Sequence, residues 1–231
     1  MLMRRRSKPE RGFTLLEIIV VLAVLGALAA LLNPVVFCFI DDARRTQAKD
    51  DAIQIARAIN RVFKDAGRWP FCKNCQGPNA LQAGDAAILT SNDACTGAAA
   101  LGTCDTKAPS DGTTGSLWVF ATSTADSLTN HLIKNTPFSG AAGTPYLITG
   151  TPRWKGPYLE RSPGLDPWGR SYLVNIKNAD PAKETPDTSA SGLRWTIVIS
   201  AGPDGVLQTD PTTFAVSNPS PAGDDIVARV K

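Results

Sequence analysis

Histidine is almost absent from this 231-residue chain, and the single His131 leaves His-based metal centres and Ser/His/Asp triads poorly supplied. Charge is scarce as well. Asp, Glu, Lys and Arg make up 19% of the residues, and the formal net charge is only +3. Arg4, Arg5, Arg6, Lys8 and Arg11 against Glu10 account for that excess, so the remainder is close to neutral and offers no basic face for nucleic acid. No internal repeat is found, and no nucleophile, base and orienting group fall into a spacing that supports catalysis. Disorder and a polytopic membrane fold are also excluded, because hydrophobic residues reach 43% and 19 Gly with 17 Pro imply many turns. The length suits one globular unit plus an appendage.

What the chain does have is a long apolar run near its start, from Phe13 to Ile40, interrupted chiefly by Glu17, Asn33 and Pro34. As a helix of about 28 residues it would extend ~42 Å, more than the ~30 Å of a bilayer core. Arginines precede it and Asp41-Asp42 follow it, so the positive-inside rule keeps the N-terminus cytoplasmic and exports the rest. A secretory signal peptide fits poorly, because Val35, Val36, Phe37, Cys38, Phe39 and Ile40 stand where small cleavage-site residues belong. A plain anchor does not account for Glu17, since a carboxylate in hydrocarbon costs several kcal/mol and usually marks a function or a partner.

Arg11-Gly12-Phe13-Thr14-Leu15-Leu16-Glu17, behind a basic leader and ahead of the apolar helix, resembles the processing signal of type IV pilins and type II secretion pseudopilins. The resemblance implies cleavage by a prepilin peptidase between Gly12 and Phe13, with N-methylation of Phe13. It also implies that Glu17 pairs with the terminal amine of a neighbouring subunit during assembly, which supplies the partner that desolvation demands. Gly26 and Pro34 bracket the middle of the helix and make it the easiest stretch to loosen. Family resemblance implies the same loosening in a packed filament.

Asp41 to Ala66 contains no Pro or Gly and carries Ile55, Ile59, Val62 and Ala66 at helical spacing, so the helix is expected to continue with one face toward a sheet. Gly67 is the expected C-cap and Pro70 prevents further helix. From about residue 71 to 150 the composition turns to Gly, Ala, Thr, Ser, Asn and Asp. Strands are expected at Leu117–Phe120 and Tyr146–Ile148, a polar helix at Thr124–Lys134, and clearer strands at Tyr172–Ile176 and Leu193–Ile199 joined by a long hairpin loop.

Cys72, Cys75, Cys95 and Cys104 lie in the 71–150 segment on the exported side, and Cys38 lies in the apolar helix. Gln76 in place of a histidine argues against covalent haem, and structural disulfides are the expectation, with three pairings open. A zinc site of four thiolates is the rival reading. The five tryptophans are read as packing residues.

A second resemblance lies in Gly156-Pro157-Tyr158-Leu159, Asp166-Pro167-Trp168-Gly169-Arg170-Ser171-Tyr172, Ser200-Ala201-Gly202-Pro203-Asp204-Gly205 and Gly223-Asp224-Asp225-Ile226. These blocks resemble those of the major pseudopilin of type II secretion, and the 71–150 segment departs from that pattern as an insertion. The resemblance implies calcium bound by Asp204 and Asp225 with the Ala201 carbonyl, and Asp224 as a neighbouring ligand. The EF-hand pattern of alternating acids is missing, so spacing alone does not imply the site.

The resulting expectation is an α+β, pilin-like protein whose long N-terminal helix, with its first half transmembrane, packs on a C-terminal antiparallel sheet. It comprises a cleaved leader (1–12), an assembly helix (13–66) and a periplasmic domain (67–231), anchored once in the inner membrane. The implied function is a pseudopilin polymerising with copies of itself or related pseudopilins in a type II secretion filament, with the prepilin peptidase and the inner-membrane secretion platform as further partners. A type IV pilin for adhesion, motility or DNA uptake, and a membrane-anchored periplasmic enzyme or binding protein, are the alternatives.

Overall fold

The computed structural model describes residues 12–77, 82–111, 118, 124–140, 143–179, 196–210 and 221–230, with the side chains of 31–35, Ala98 and Asp111 outside that description. Internal contacts divide the chain into two units, Met1–Ala43 and Arg44–Lys231.

The first unit contains the start of α1 (Leu15–Ala66). Thr14 stands just ahead of it, and its Oγ1 accepts a hydrogen bond from the Glu17 amide at 3.3 Å. One of the orphan donors of the first turn is thereby satisfied, with the Thr-x-x-Glu spacing of a capping box. Helix continues through Gly26 and Pro34, although the Pro34 side chain lies outside the described residues. Apolar side chains are open on every side of this part of α1, from 78% exposure at Leu15 to 40% at Ile40. Among the described residues no helix is long and apolar enough to cross a membrane.

In the second unit α1 has one buried face, formed by Ala48, Ala52, Ile55, Ala56, Ile59, Val62 and Ala66. Gly67 closes the helix at φ +67°, with its amide donating to the Phe63 carbonyl at 2.8 Å, a left-handed cap that a side chain would strain. The elements that follow are β1 (Ile88–Thr90), β2 (Thr96–Ala100), α2 (Leu101–Cys104), β3 (Ser110–Asp111), β4 (Thr124–Ser127), α3 (Leu128–Leu132), β5 (Leu173–Val174), β6 (Ile197–Ser200), β7 (Val206–Leu207) and β8 (Ile226–Arg229). Six strands form one sheet in the order β2-β4-β1-β5-β6-β8, and β3 pairs with β7 separately.

The α+β class holds, but the sheet is mixed rather than antiparallel. β1 and β4 run parallel, with Ile88 opposite Ala125 and Thr90 opposite Ser127. The stretch between them, which includes β2, α2 and β3, is long enough for the crossover that a parallel pair requires. The 71–150 segment therefore supplies β1, β2 and β4, half of the strands of the main sheet. β5 and β6 pair antiparallel, Leu173 opposite Ile199, as a hairpin would; their connection at 180–195 lies outside the described residues.

Both faces of this sheet are covered. Leu89, Val174 and Val198 join Ile55, Ile59 and Val62 in a core on the α1 side. Their sequence neighbours Ile88, Leu173, Ile197 and Ile199 point the other way, into a second core with Leu101, Ala125, Trp118 and Leu207. Period-two alternation with apolar residues at both parities is what a sheet buried on two sides requires. At the C-terminal end, Asn60 donates to the Val230 carbonyl, tying α1 to the residue after β8.

Two local expectations need correction. Residues Thr124–Lys134 form a strand followed by a short helix, not one helix, because Ser127 caps α3 through its Oγ, which accepts from Thr129 N at 3.1 Å. Tyr146–Ile148 is not a strand. Asn135 Oδ1 accepts from Tyr146 N at 2.9 Å and Asn135 Nδ2 donates to Tyr146 O at 3.1 Å, so a side chain takes the place of a ladder partner. Of Leu117–Phe120, only Trp118 lies among the described residues.

Candidate functional site

At the N-terminus, Gly12 and Phe13 precede α1 in non-helical backbone, and Glu17 lies in its first turn. This places the expected cleavage bond in exposed, non-helical chain directly before a capped helix. Thr14 is the residue that sequence reading passed over, and its signal was the three-residue spacing to Glu17.

The acidic loop is built from β6, β7 and β8. Asp225 is buried just before β8, and its Oδ2 accepts from the amides of Gln208 (2.9 Å) and Thr209 (2.6 Å) after β7. Asp204 is exposed and bound within its own turn, Oδ1 to Val206 N (2.8 Å) and Oδ2 to Gln208 Nε2 (2.6 Å), while its amide donates to Asp224 Oδ2 (3.3 Å). Gln208 also receives the Asp224 amide on Oε1 at 3.3 Å. Gln208 thus links all three aspartates, a role without a sequence signal, since glutamine in a loop is unremarkable. Gly223, at φ +61°, lies against that amide, and a Cβ there would overlap it.

Asp166 ties the Asp-Pro-Trp-Gly block to this loop. Its Oδ1 accepts from the amides of Trp168 (3.0 Å) and Arg170 (2.8 Å), and its Oδ2 from Ser200 Oγ (2.7 Å). Ser200 Oγ in turn accepts from Gly202 N at 3.2 Å, beside the buried Ala201. Blocks far apart in sequence therefore meet at the end of β6.

Two side-chain oxygens of the loop, Asp224 Oδ1 and Asp225 Oδ1, are buried without a hydrogen-bond partner among the described residues. Burial pushes the Asp225 carboxyl above its ordinary range, and Asp224 adds to this, while the Thr209 and Gln208 groups pull it down. Orphaned, buried, hard oxygen atoms are what a calcium ion satisfies, so these residues fit the ion. Asp204, already bonded through both oxygens, fits it less well as it stands. Among the described residues, the three His, Cys or acidic ligand atoms lying within 4.8 Å of one another belong to Cys72, Cys75 and His131, and not to this loop.

The cysteines pair locally, Cys72 with Cys75 and Cys95 with Cys104. Each pair closes its own short loop, so the four sulfurs do not gather into a four-thiolate zinc site. Cys38, in the apolar part of α1, is free and exposed.

Residues 7–33 match the family described as the prokaryotic N-terminal methylation motif. The chain is similar to type II secretion system core protein G of Pseudomonas aeruginosa, 43% identical over 79 residues, covering 34% of this chain and 53% of that protein. Core protein G of Klebsiella michiganensis is 39% identical over 79 residues, with the same coverages, and that of Pectobacterium carotovorum 39% over 72 residues, 31% of this chain and 45% of the relative. The chain spans about half the length of these curated relatives. No solved structure matches. The resemblance to pilins and pseudopilins is borne out: the chain carries the prokaryotic N-terminal methylation motif and is similar, over about a third of its length, to the core G proteins of type II secretion.

Proposed function

We propose that this protein is a structural pseudopilin subunit, not an enzyme, which polymerises through α1 into the periplasmic filament of a type II secretion system and supports protein export. The observation that carries the reading is the methylation motif over residues 7–33, set on a helix whose apolar side chains are open on all sides. A helix apolar all round requires lipid or other helices about it. In this reading the first half of α1 spans the inner membrane in a pilin-like subunit, and the unit from Arg44 onward stands in the periplasm. Copies of this chain or related pseudopilins pack along α1, and the prepilin peptidase and the inner-membrane platform act on it during maturation and assembly. Calcium is bound by Asp225 and Asp224, with Asp204 and the Ala201 carbonyl, and ties the end of β6 to the start of β8.

Processing gives the first test. Mass spectrometry of assembled material is expected to find a mature chain beginning at N-methylated Phe13, and an intact Met1 to Gly12 leader would reject it.

Glu17 tests the assembly step. Glu17→Ala makes the helix more apolar and is expected to insert into the membrane, yet to form few filaments because the neighbouring terminal amine loses its partner. Thr14 caps α1 with its own hydroxyl and the Glu17 backbone amide, so the substitution leaves that bond in place. Pelleting or cross-linking of membranes compares the two proteins, and normal filaments from the variant would remove the pairing role.

A further inference from the structure

The buried neighbourhood of His131 has no part in the pseudopilin reading. Cys72, Cys75 and His131 each place a ligand atom within 4.8 Å of the other two, and all three side chains are buried. His131 Nδ1 lies 2.9 Å from the Tyr146 hydroxyl. Its Nε2 is 3.0 Å from Asp126 Oδ2, but buried without a well-formed hydrogen bond. Asp126 is itself fixed, accepting from Phe138 N (2.7 Å) and Asn130 Nδ2 (2.7 Å). A carboxylate orienting a histidine is the support that protein metal ligands usually have.

Backbone pairing holds the cysteine loop against the same region. Cys75 N donates to Thr144 O at 3.0 Å, and Thr144 N donates to Lys73 O at 2.8 Å. A cleft of about 360 Å³, lined by Lys73, Asn74, Gln82, Asp85, Gly143 and Thr144, opens beside it. Lys73 and Asn74 are the two residues between the cysteines, so the cleft borders the cysteine loop, while both sulfur-bearing residues are buried behind it.

We propose that Cys72, Cys75 and His131 form a second, redox-gated site for zinc, separate from the acidic loop and exclusive with the Cys72–Cys75 disulfide. Two electrons and two protons from a dithiol donor open the disulfide to two thiols, and the donor closes to its own disulfide. The thiols lose their protons as zinc binds both sulfurs and one imidazole nitrogen, which gives up its present contact with Tyr146 or Asp126 while the other nitrogen keeps its own. Two cysteines and a histidine are an established three-ligand zinc set that leaves one position for a small ligand. Zinc suits the site because thiolate is a soft ligand and imidazole a borderline one, whereas calcium and magnesium select oxygen.

The test uses the full chain in detergent, reduced with a dithiol, freed of it anaerobically and titrated with cobalt(II). One equivalent is expected to give a thiolate-to-cobalt charge-transfer band that zinc abolishes by competition. The oxidised chain and Cys72→Ser/Cys75→Ser are expected to lack the band, and His131→Gln to bind at least about tenfold more weakly. If the cysteine variant fails to fold, alkylation mapping of the reduced wild-type chain takes its place, with zinc expected to protect Cys72 and Cys75. Absence of the band from the reduced protein, its persistence in a folded Cys72→Ser/Cys75→Ser chain, undiminished binding by His131→Gln, or protection at Cys95, Cys104 or Cys38 instead would each overturn the proposal.

Discussion

Asp225→Asn is expected to raise the melting temperature of the calcium-free chain at neutral pH and to abolish its stabilisation by calcium. Asp225 is buried, and one of its oxygens has no hydrogen-bond partner among the described residues. Burial therefore raises its pKa above the ordinary 3.8. Without a cation, the native state binds this proton more tightly than the unfolded chain does. Its contribution to stability is thus greatest below pH 3.8 and falls as the pH climbs through the raised native value. A bound dication reverses the sign by favouring the ionised form. Calcium at a hundredfold excess over its Kd would add about 2.7 kcal/mol, or roughly 5–10 °C for a domain of this size. Asn keeps an oxygen for the Gln208 and Thr209 amides but carries no charge.

Melting curves between pH 4 and 7.5, with calcium and with chelator, compare the two proteins. The difference between them isolates Asp225 from Asp126, whose lowered pKa adds stability that is lost as the pH falls through its native value. Identical wild-type melts under both conditions, with no heat of binding, would make the acids ordinary loop residues.

Trp118→Ala is expected to cost about 3–5 kcal/mol, the range for emptying a buried aromatic site. Trp118 is 1% exposed in the core on the far side of the sheet from α1, with Ile88, Leu173, Ile197 and Leu207. Its indole Nε1 donates to the Thr209 carbonyl at 3.1 Å, and the Thr209 amide donates to Asp225. The substitution therefore removes packing and also frees the strut behind the acidic loop, so the calcium response should weaken with the stability. Trp118→Phe retains most of the apolar volume and loses the donor, and a smaller loss is expected. Urea unfolding followed by circular dichroism measures both, and a change within about 0.5 kcal/mol for the alanine variant would mean that the 71–150 segment is not integral to the core.

Local chemistry determined the assembly end of the molecule. Gly12 to Glu17 are contiguous, Thr14 and Glu17 set the helix start within a single turn, and Ile55, Ile59, Val62 and Gly67 mark a buried stripe and its cap within a few turns. Each of those interactions joins residues three to seven positions apart, so the residue order carries it directly. Tertiary structure alone decided the rest. Whether Thr124–Ser127 becomes strand or helix depends on β1 and β2 lying beside it, because strand preference measures the fit to neighbours more than any property of the segment. Tyr146 is kept out of a ladder by Asn135, eleven residues away. Asp225 becomes a buried, half-satisfied carboxylate only when β7 brings Gln208 and Thr209 to it. His131, read as a lone residue, meets Cys72 and Cys75 only after the chain has closed loops of more than fifty residues, whose entropy is offset by packing spread over the whole unit.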